Sequence, residues 1–380
     1  MNRHVAFLLA GWCSLSLAGC GGADWDFDFD PISIPPPSPH LVVMSRNIYV
    51  GADVDRVLAA ESPEAVPGLV SQTFQELLST NFPVRAVRLA DEIQHVQPHL
   101  IGLQEVSTIR LQSPGDAIAG GTIPAEEVLF DYLEILIAEL LNRGLEYRVA
   151  GSVQNADVEL PMVVSLDPLA FDDVRLTDYD VVLARRDVAV ANVVAVNYEA
   201  ALPVAQLGIE IPRGYVAVDA TVNDRTYRFA STHLEPFSIE IQMLQAAELL
   251  AHLEGTPLYT IVVGDLNSPA PDGETYTMIQ QAAFVDAWTQ NLVQADPEGF
   301  TFGHASDLRN TEVLFTMRVD FIFMRSLVWV NETQDIGLVR AEVVGEELED
   351  RILDPVDGTY LWPSDHGGVV ARLLKEPNAD

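Results

Sequence analysis

The residues of this 380-residue chain best suited to chemistry come in short groups, each at the end of an apolar run. In IVVGDLNSP (261–269), the stretch Thr260 to Val263 reads as a short buried strand that runs into Gly264. A turn carrying Asp265 and Asn267 follows, and Pro269 closes it. Polar side chains at the carboxyl end of a core strand lie where open α/β sheets place their chemistry. Gly, Asp, Asn, Ser and Pro are also ordinary turn residues, so this stretch alone decides little. Further groups join it: LVVMSRN (41–47) ends in Asn47, IGLQEV (101–106) holds Glu105, and STHLEP (231–236) holds His233. RVDFIF (318–323) and SDHGGV (364–369) add Asp320, Asp365 and His366. Carboxylates and amide oxygens suit a hard cation such as Mg²⁺, which takes oxygen ligands and keeps several waters. The sequence has no HExxH and no cysteine cluster, which argues against a structural zinc.

The elements around these groups predict how they are held. NFPVRAVRLADEIQHVQP (81–98) has Val84, Val87, Leu89, Ile93 and Val96 near helical spacing, with Pro98 as a stop. The whole segment from Asp53 to Gln97 reads mostly as helix, and 99–106 as a buried strand. Residues 125–143 read as an amphipathic helix ending at Gly144, and 179–187 as a strand. Strands 215–222 and 225–234 flank Asn223-Asp224, a two-residue hairpin signal. Helices are expected at 238–254 and near 274–287, and the last strands at 318–324 and 367–373. Strands thus come both as hairpins and separated by helices, which predicts two mixed sheets with helices outside and a single domain over 40–375.

Charge and composition narrow the function. Hydrophobic residues at 48% and charged residues at 20% describe a globular protein. The net charge of −35 repels polyanions, whereas non-specific duplex binding needs a basic face that releases counterions. Arg3 and His4 precede an apolar run from Val5 to Leu17 that is too short to span a bilayer, so 1–20 reads as an export signal. Its end, LAGC (17–20), resembles the bacterial lipobox, which makes Cys20 the lipidated residue and the protein an exported cell-envelope lipoprotein. Gly21 after it points to the outer membrane or cell surface. Cys13 lies inside the signal, so the mature domain has no disulfide. Residues 21–39, acidic with aromatics and then Pro-rich, read as an extended tether.

The order N…QE…HL…GDLN…RVDFIF…SDH resembles the endonuclease/exonuclease/phosphatase superfamily, over residues 41 to about 373. The resemblance implies a four-layered α/β sandwich, two packed mixed β-sheets flanked by helices, with the site at one end. It implies that Glu105 and Asn47 serve the metal, with Asp365 near it. His233 would contact the phosphoryl group, and Asp265 and Asn267 would handle the nucleophile or leaving group and a phosphoryl oxygen. Asp320 would orient His366, the catalytic histidine. The cofactor implied is Mg²⁺, with Mn²⁺ or Ca²⁺ as substitutes.

This chemistry stands without the resemblance too. Phosphodiesters resist attack because their oxygens are anionic, so a divalent ion must neutralise charge as the transition state forms. An Asp–His pair holds the imidazole in one tautomer and stabilises its cation. The reading is a monomeric, membrane-tethered, Mg²⁺-dependent phosphoester hydrolase acting on a phosphodiester, with a phospholipid headgroup (sphingomyelinase-like) ahead of a small phosphodiester or nucleic acid. An extracellular endonuclease and an inactive binding lipoprotein on the same fold are the rivals. His95, His99 and His252 are expected to be surface or packing residues, and His304 sits in a loop. Arg185 is either a phosphate contact or a strand-end ion pair, and Tyr49 and Asp53 are pocket candidates. Residues from Val50 to about Phe82 are an elaboration of this chain.

Overall fold

The computed structural model describes residues 40–291, 298–325 and 339–374. The expected signal (1–20) with Cys20, the tether (21–39) and residue 375 lie outside the described residues. In chain order the elements are β1 (His40–Asn47), α1 (Asp55–Leu58), α2 (Val66–Ser79), α3 (Phe82–Val96), β2 (Leu100–Gln112), β3 (Glu127–Asp131) and α4 (Tyr132–Asn142). A long hairpin, β4 (Tyr147–Leu166) and β5 (Leu169–Arg185), leads to β6 (Ala189–Asn197), β7 (Leu202–Val204) and β8 (Ile209–Ile211). Then come β9 (Gly214–Val222), β10 (Arg225–His233), α5 (Ile239–Leu253), β11 (Tyr259–Asp265), α6 (Glu274–Gln281), β12 (Val285–Asp286) and β13 (Asp320–Arg325). The last strands are β14 (Val339–Val344), β15 (Ile352–Leu353), β16 (Tyr360–Leu361) and β17 (Gly368–Leu374).

Two mixed sheets result. The first runs β14-β17-β1-β2-β5-β4 with β3 on β2, and the second runs β12-β13-β11-β10-β9-β6. Their inner faces share one core, in which Val43, Leu100 and Val369 meet Val216, Phe229, Ile261 and Ile322. Fully burying such a side chain contributes about 1.5–3 kcal/mol relative to leaving it exposed. The outer face of the first sheet is covered by α2, α3 and α4 through Phe74, Leu89 and Leu136. The outer face of the second is covered by α5 and α6 through Leu249 and Ile279. This is the four-layered sandwich expected from the sequence. The sheets approach closely at Gly102, where a Cβ would lie 2.4 Å from Val263 Cγ2, and Gln104 Nε2 donates to Ser231 Oγ across the gap at 3.0 Å.

Register does the positioning. β10 and β11 pair in parallel with His233 beside Asp265, and β11 and β13 pair antiparallel with Asp265 beside Asp320. Three polar side chains thereby stand in one row at one edge of the second sheet. In the first sheet the parallel pair β1–β2 sets Asn47 beside Gln104. The Asn223-Asp224 turn joins β9 and β10 with φ of 49° and 62°, as a tight hairpin needs.

Three parts differ from the sequence expectation: the helix expected near 274–287 ends at Gln281, and Val285–Asp286 form strand β12 on β13. Residues 127–131 are strand β3, paired with β2, and only from Tyr132 does the chain become helical. Asp131 is extended and its carboxylate caps α4 by accepting the Glu134 N–H at 2.9 Å. The expected strand 179–187 is the end of the longer β5, whose first half pairs with β4 through QNADVEL-type sequence rich in poor strand formers.

Gly264 sits at φ +149°, and a Cβ there would fall 1.9 Å from the Thr232 carbonyl oxygen. Gly264→Ala is expected to destabilise the fold by roughly 3 kcal/mol. Urea unfolding at equilibrium measures this, and an unchanged midpoint would show that the strand can shift to admit a methyl group.

Candidate active site

The two sheet edges bring the candidate residues to one buried centre. β2 carries a bulge, because Gln104 and Glu105 stand where β5 offers only Asp180, between the pairs Leu103–Val181 and Val106–Tyr179. Glu105 takes a left-handed conformation there, φ 57°, and its carboxylate leaves the sheet for the cavity. Its Oε2 accepts the Val50 N–H at 2.7 Å, and its Oε1 accepts Asn47 Nδ2 at 2.8 Å. Asn47 Nδ2 also approaches Asp265 Oδ2 at 3.3 Å, while Asn47 Oδ1 accepts the Tyr49 N–H at 2.9 Å. Asn47 therefore orients two carboxylates with its NH₂ group, and its oxygen is already engaged.

Asp265 Oδ2 is the hub. It lies 3.5 Å from His233 Nε2 and 3.7 Å from His366 Nε2, and Asp265 Oδ1 accepts the Asn267 N–H at 2.8 Å. His366 Nδ1 makes a 2.8 Å hydrogen bond to Asp320 Oδ2, and His366 Nε2 is 4.0 Å from Asp365 Oδ1. A 430 Å³ cavity is lined by Glu105, His233, Asp265, Asn267, Asp365 and His366, with Asn47 and Asp320 standing behind them.

Electrostatics separates the two histidines. Burial drives His366 down, but the carboxylates of Asp320, Asp265 and Asp365 outweigh it and hold its pKa up at about 10. His233 is held well below the usual imidazole range by burial, by Arg213 and by His366. Arg213 Nη1 stands 3.1 Å from His233 Nδ1, and Asn267 Nδ2 stands 3.1 Å from His233 Nε2, so both ring nitrogens face donors. Burial raises Asp265 and Asp365, with His366 opposing it in both cases.

The donor set fits a divalent cation. Glu105, Asp265, Asp320 and Asp365 crowd negative charge together, and Asp320 Oδ1 has no hydrogen-bond partner among the described residues. Among the described residues, Asp265, Asp320 and His366 offer ligand atoms within 4.8 Å of one another, though His366 Nδ1 is already committed to Asp320. The oxygen ligands left for a hard cation are those of Glu105 and Asp365, with Asp265 beside them.

Two arginines that sequence reasoning passed over build the frame. Arg46 is held by Glu92 at 2.9 Å through two nitrogens, and its Nη1 donates to the His366 carbonyl. Arg85, fully buried, donates to the carbonyls of Ile48 and Pro363 at 2.8 Å and of Tyr49 and Thr80 at 3.0 Å. Together they clamp the loop before β17 onto the loop after β1. A signal was present: Arg85 and Glu92 fall on the face of α3 that also buries Phe82, Leu89 and Ile93.

The other candidates sort clearly. Arg185 pairs with Asp187 at 2.7 Å and donates to the Gln97 carbonyl, so it is the strand-end ion pair. His99 accepts the Val42 N–H at 3.0 Å, and His252 packs on Tyr215. Tyr49 and Asp53 line the cavity. His304 lines it too, stacked between Phe315 and Trp362 at 4.1 and 4.0 Å. Its Nδ1 faces Asn310 Nδ2 and the Leu314 N–H, so Nε2 carries the proton and has no partner among the described residues.

The sequence model of the Endonuclease/Exonuclease/phosphatase family matches residues 77–366. The chain belongs to that family. An endonuclease/exonuclease/phosphatase family protein from Bacteroides thetaiotaomicron is similar to it in structure, with a TM-score of 0.55 at 15% identity, covering 89% of this chain and 95% of that one. A mannosyl-6-phosphatase from the same organism has a TM-score of 0.53 at 15% identity, covering 88% of this chain and 99% of that one. No curated protein matches the chain. Members of the endonuclease/exonuclease/phosphatase family are phosphoester hydrolases and generally depend on a divalent metal.

Removing the imidazole in His366→Ala is expected to lower kcat at least about a hundredfold without loss of fold. Asp320→Asn should cost about 10²–10⁴-fold, because the amide no longer fixes the tautomer or stabilises the cation. Steady-state kinetics with a thermal melt as control measures both, and near-normal turnover in either folded variant would remove the pair from catalysis.

Proposed function

We propose that the protein is a Mg²⁺-dependent phosphodiesterase, exported and tethered to the cell envelope through lipid on Cys20. The observation that carries the hydrolase reading is the convergence of Glu105, Asp265, Asp365 and the Asp320–His366 pair on one buried cavity. Glu105 and Asp365 would hold the cation, with Mn²⁺ or Ca²⁺ able to stand in for Mg²⁺. The ion would supply charge neutralisation at the phosphoryl oxygens.

The chain's own groups divide the remaining work. Asp265, whose pKa burial raises, is the base best placed for the attacking water's proton. His366, held as an imidazolium by its carboxylates, faces the charge that grows on the phosphoryl group. The side-chain amide of Asn267, 3.1 Å from His233 Nε2, supplies a fixed donor beside Asp265. Such a donor is worth about 10²–10³-fold in rate. His304 has an N–H in the same cavity wall, unpartnered among the described residues, and offers one more.

A phospholipid headgroup ester is favoured over DNA by the net charge of −35 and by the tether. LAGC at 17–20 supports export and lipidation. The test uses the purified full chain in detergent, with His366→Ala as the blank, on bis(p-nitrophenyl) phosphate, sphingomyelin and plasmid DNA. The expected result is Mg²⁺-dependent release from the diesters, abolished by EDTA and restored by Mg²⁺. Turnover unaffected by EDTA would reject the metal, and nicking of DNA in preference to the other substrates would favour the nuclease.

A further inference from the structure

The cavity that holds the catalytic residues is mostly apolar elsewhere. Its wall includes Leu58 of α1, Phe74 of α2, Val158 of β4, Leu176 of β5, Leu207 after β7 and Phe237 after β10. Apart from β10, which ends in His233, none of these elements supplies a candidate catalytic residue. They come from the insertion after Asn47, from the long β4–β5 hairpin and from the small β7–β8 hairpin. They are also tied to one another. Val158 and Leu176 are register partners across β4 and β5, and Gln206 Nε2 donates to the Leu58 carbonyl at 2.8 Å, joining the β7–β8 turn to α1.

An apolar wall of this kind excludes some ligands and suits others. A nucleotide or sugar substituent needs hydrogen-bond partners along its length, and leaving its hydroxyls unpaired against Leu, Val and Phe costs binding. A hydrocarbon needs none and gains from every methylene removed from water. Ligand pockets of this volume are generally apolar with a few polar groups that fix orientation, and here those polar groups are the catalytic ones together with Asp55, Asp178, Arg213 and Glu235. Phe237, half exposed, stands four residues beyond His233 in sequence, so the same segment after β10 serves both parts of the cavity.

We propose that this apolar arm binds the hydrocarbon portion of the substrate, which makes the substrate an alkyl- or acyl-chain-bearing phosphoester. The assignment rests on the phosphoester-hydrolase reading of the catalytic end and gives the chain's own insertion a purpose. A phosphoryl group placed among Glu105, His233 and His366 has its ester substituent directed along a wall that rewards carbon and offers little to oxygen.

Isothermal titration of the full chain with n-alkylphosphonates, butyl to dodecyl and below their micelle concentrations, tests the arm without requiring turnover. Each added methylene is expected to tighten binding about fourfold until the arm is full. Val158→Asp should flatten that dependence; Val158 lies outside the main core clusters, and Phe237→Ala, at a half-exposed position, is a second variant. Affinity independent of chain length in the wild-type protein would overturn the proposal. Chain-length dependence without turnover of any phosphoester would keep the arm and reject the hydrolase. Comparing a short-chain phosphatidylcholine as monomers with a long-chain one in vesicles separates the sources. Binding to monomers alone identifies a soluble ester, and capture from vesicles identifies a bilayer lipid.

Discussion

Buried negative charge is the constraint on which the rest of the structure depends. Glu105, Asp265 and Asp365 share one cavity end with Asp320 behind them, and Asp265 and Asp320 are almost wholly removed from water. An isolated buried carboxylate costs several kcal/mol unless it is paired and hydrogen-bonded. The fold offsets part of that cost locally: Glu105 takes the Val50 amide and the Asn47 side chain, Asp265 takes the Asn267 amide, and Asp320 takes His366. Asp320 Oδ1 remains without a partner among the described residues, and Asp265 and Asp365 both have raised pKa values. The residual charge is what a hard cation and a phosphoryl transition state would share.

Among the described residues, three of the ten non-glycine residues with positive φ stand at the site. Tyr49, Glu105 and Asn267 all take left-handed backbone conformations. These cost about 1–3 kcal/mol each and persist only when their surroundings over-determine them. The over-determination is visible. Arg85 binds carbonyls on both sides of the cleft, Arg46 ties the His366 carbonyl to Glu92 of α3, and Ser364 Oγ donates to the Asn47 carbonyl at 2.8 Å. The catalytic loops are therefore extensions of a rigid frame.

Much of this frame was legible in the sequence, for physical reasons that differ by residue. Strands β1, β10, β11 and β13 announce themselves because their buried runs end abruptly in a polar residue, and register alone then sets His233, Asp265 and Asp320 side by side. Glu105 was found from its place in the QE motif, but the bulge that re-aims it leaves no mark in a hydrophobic pattern. Asn47 was read as a metal group from the family resemblance, and its NH₂ group also donates to two carboxylates. Arg213 was missed because a lone arginine in a loop carries no periodic signal, yet its guanidinium stands against His233 Nδ1. The β4–β5 hairpin was hidden by its polar, half-exposed composition, and with it the apolar side of the cavity.

The most direct measurement of the central claim is Mn²⁺ binding, followed by electron paramagnetic resonance on the full chain and on Glu105→Gln. The account predicts saturable binding that Mg²⁺ displaces, weakened at least about tenfold when the carboxylate becomes an amide, since each lost charge at such a site removes on the order of 1.4 kcal/mol or more. Equal affinity in the two proteins would place the ion elsewhere and contradict the view that this buried acidic cluster is a metal-assisted catalytic centre.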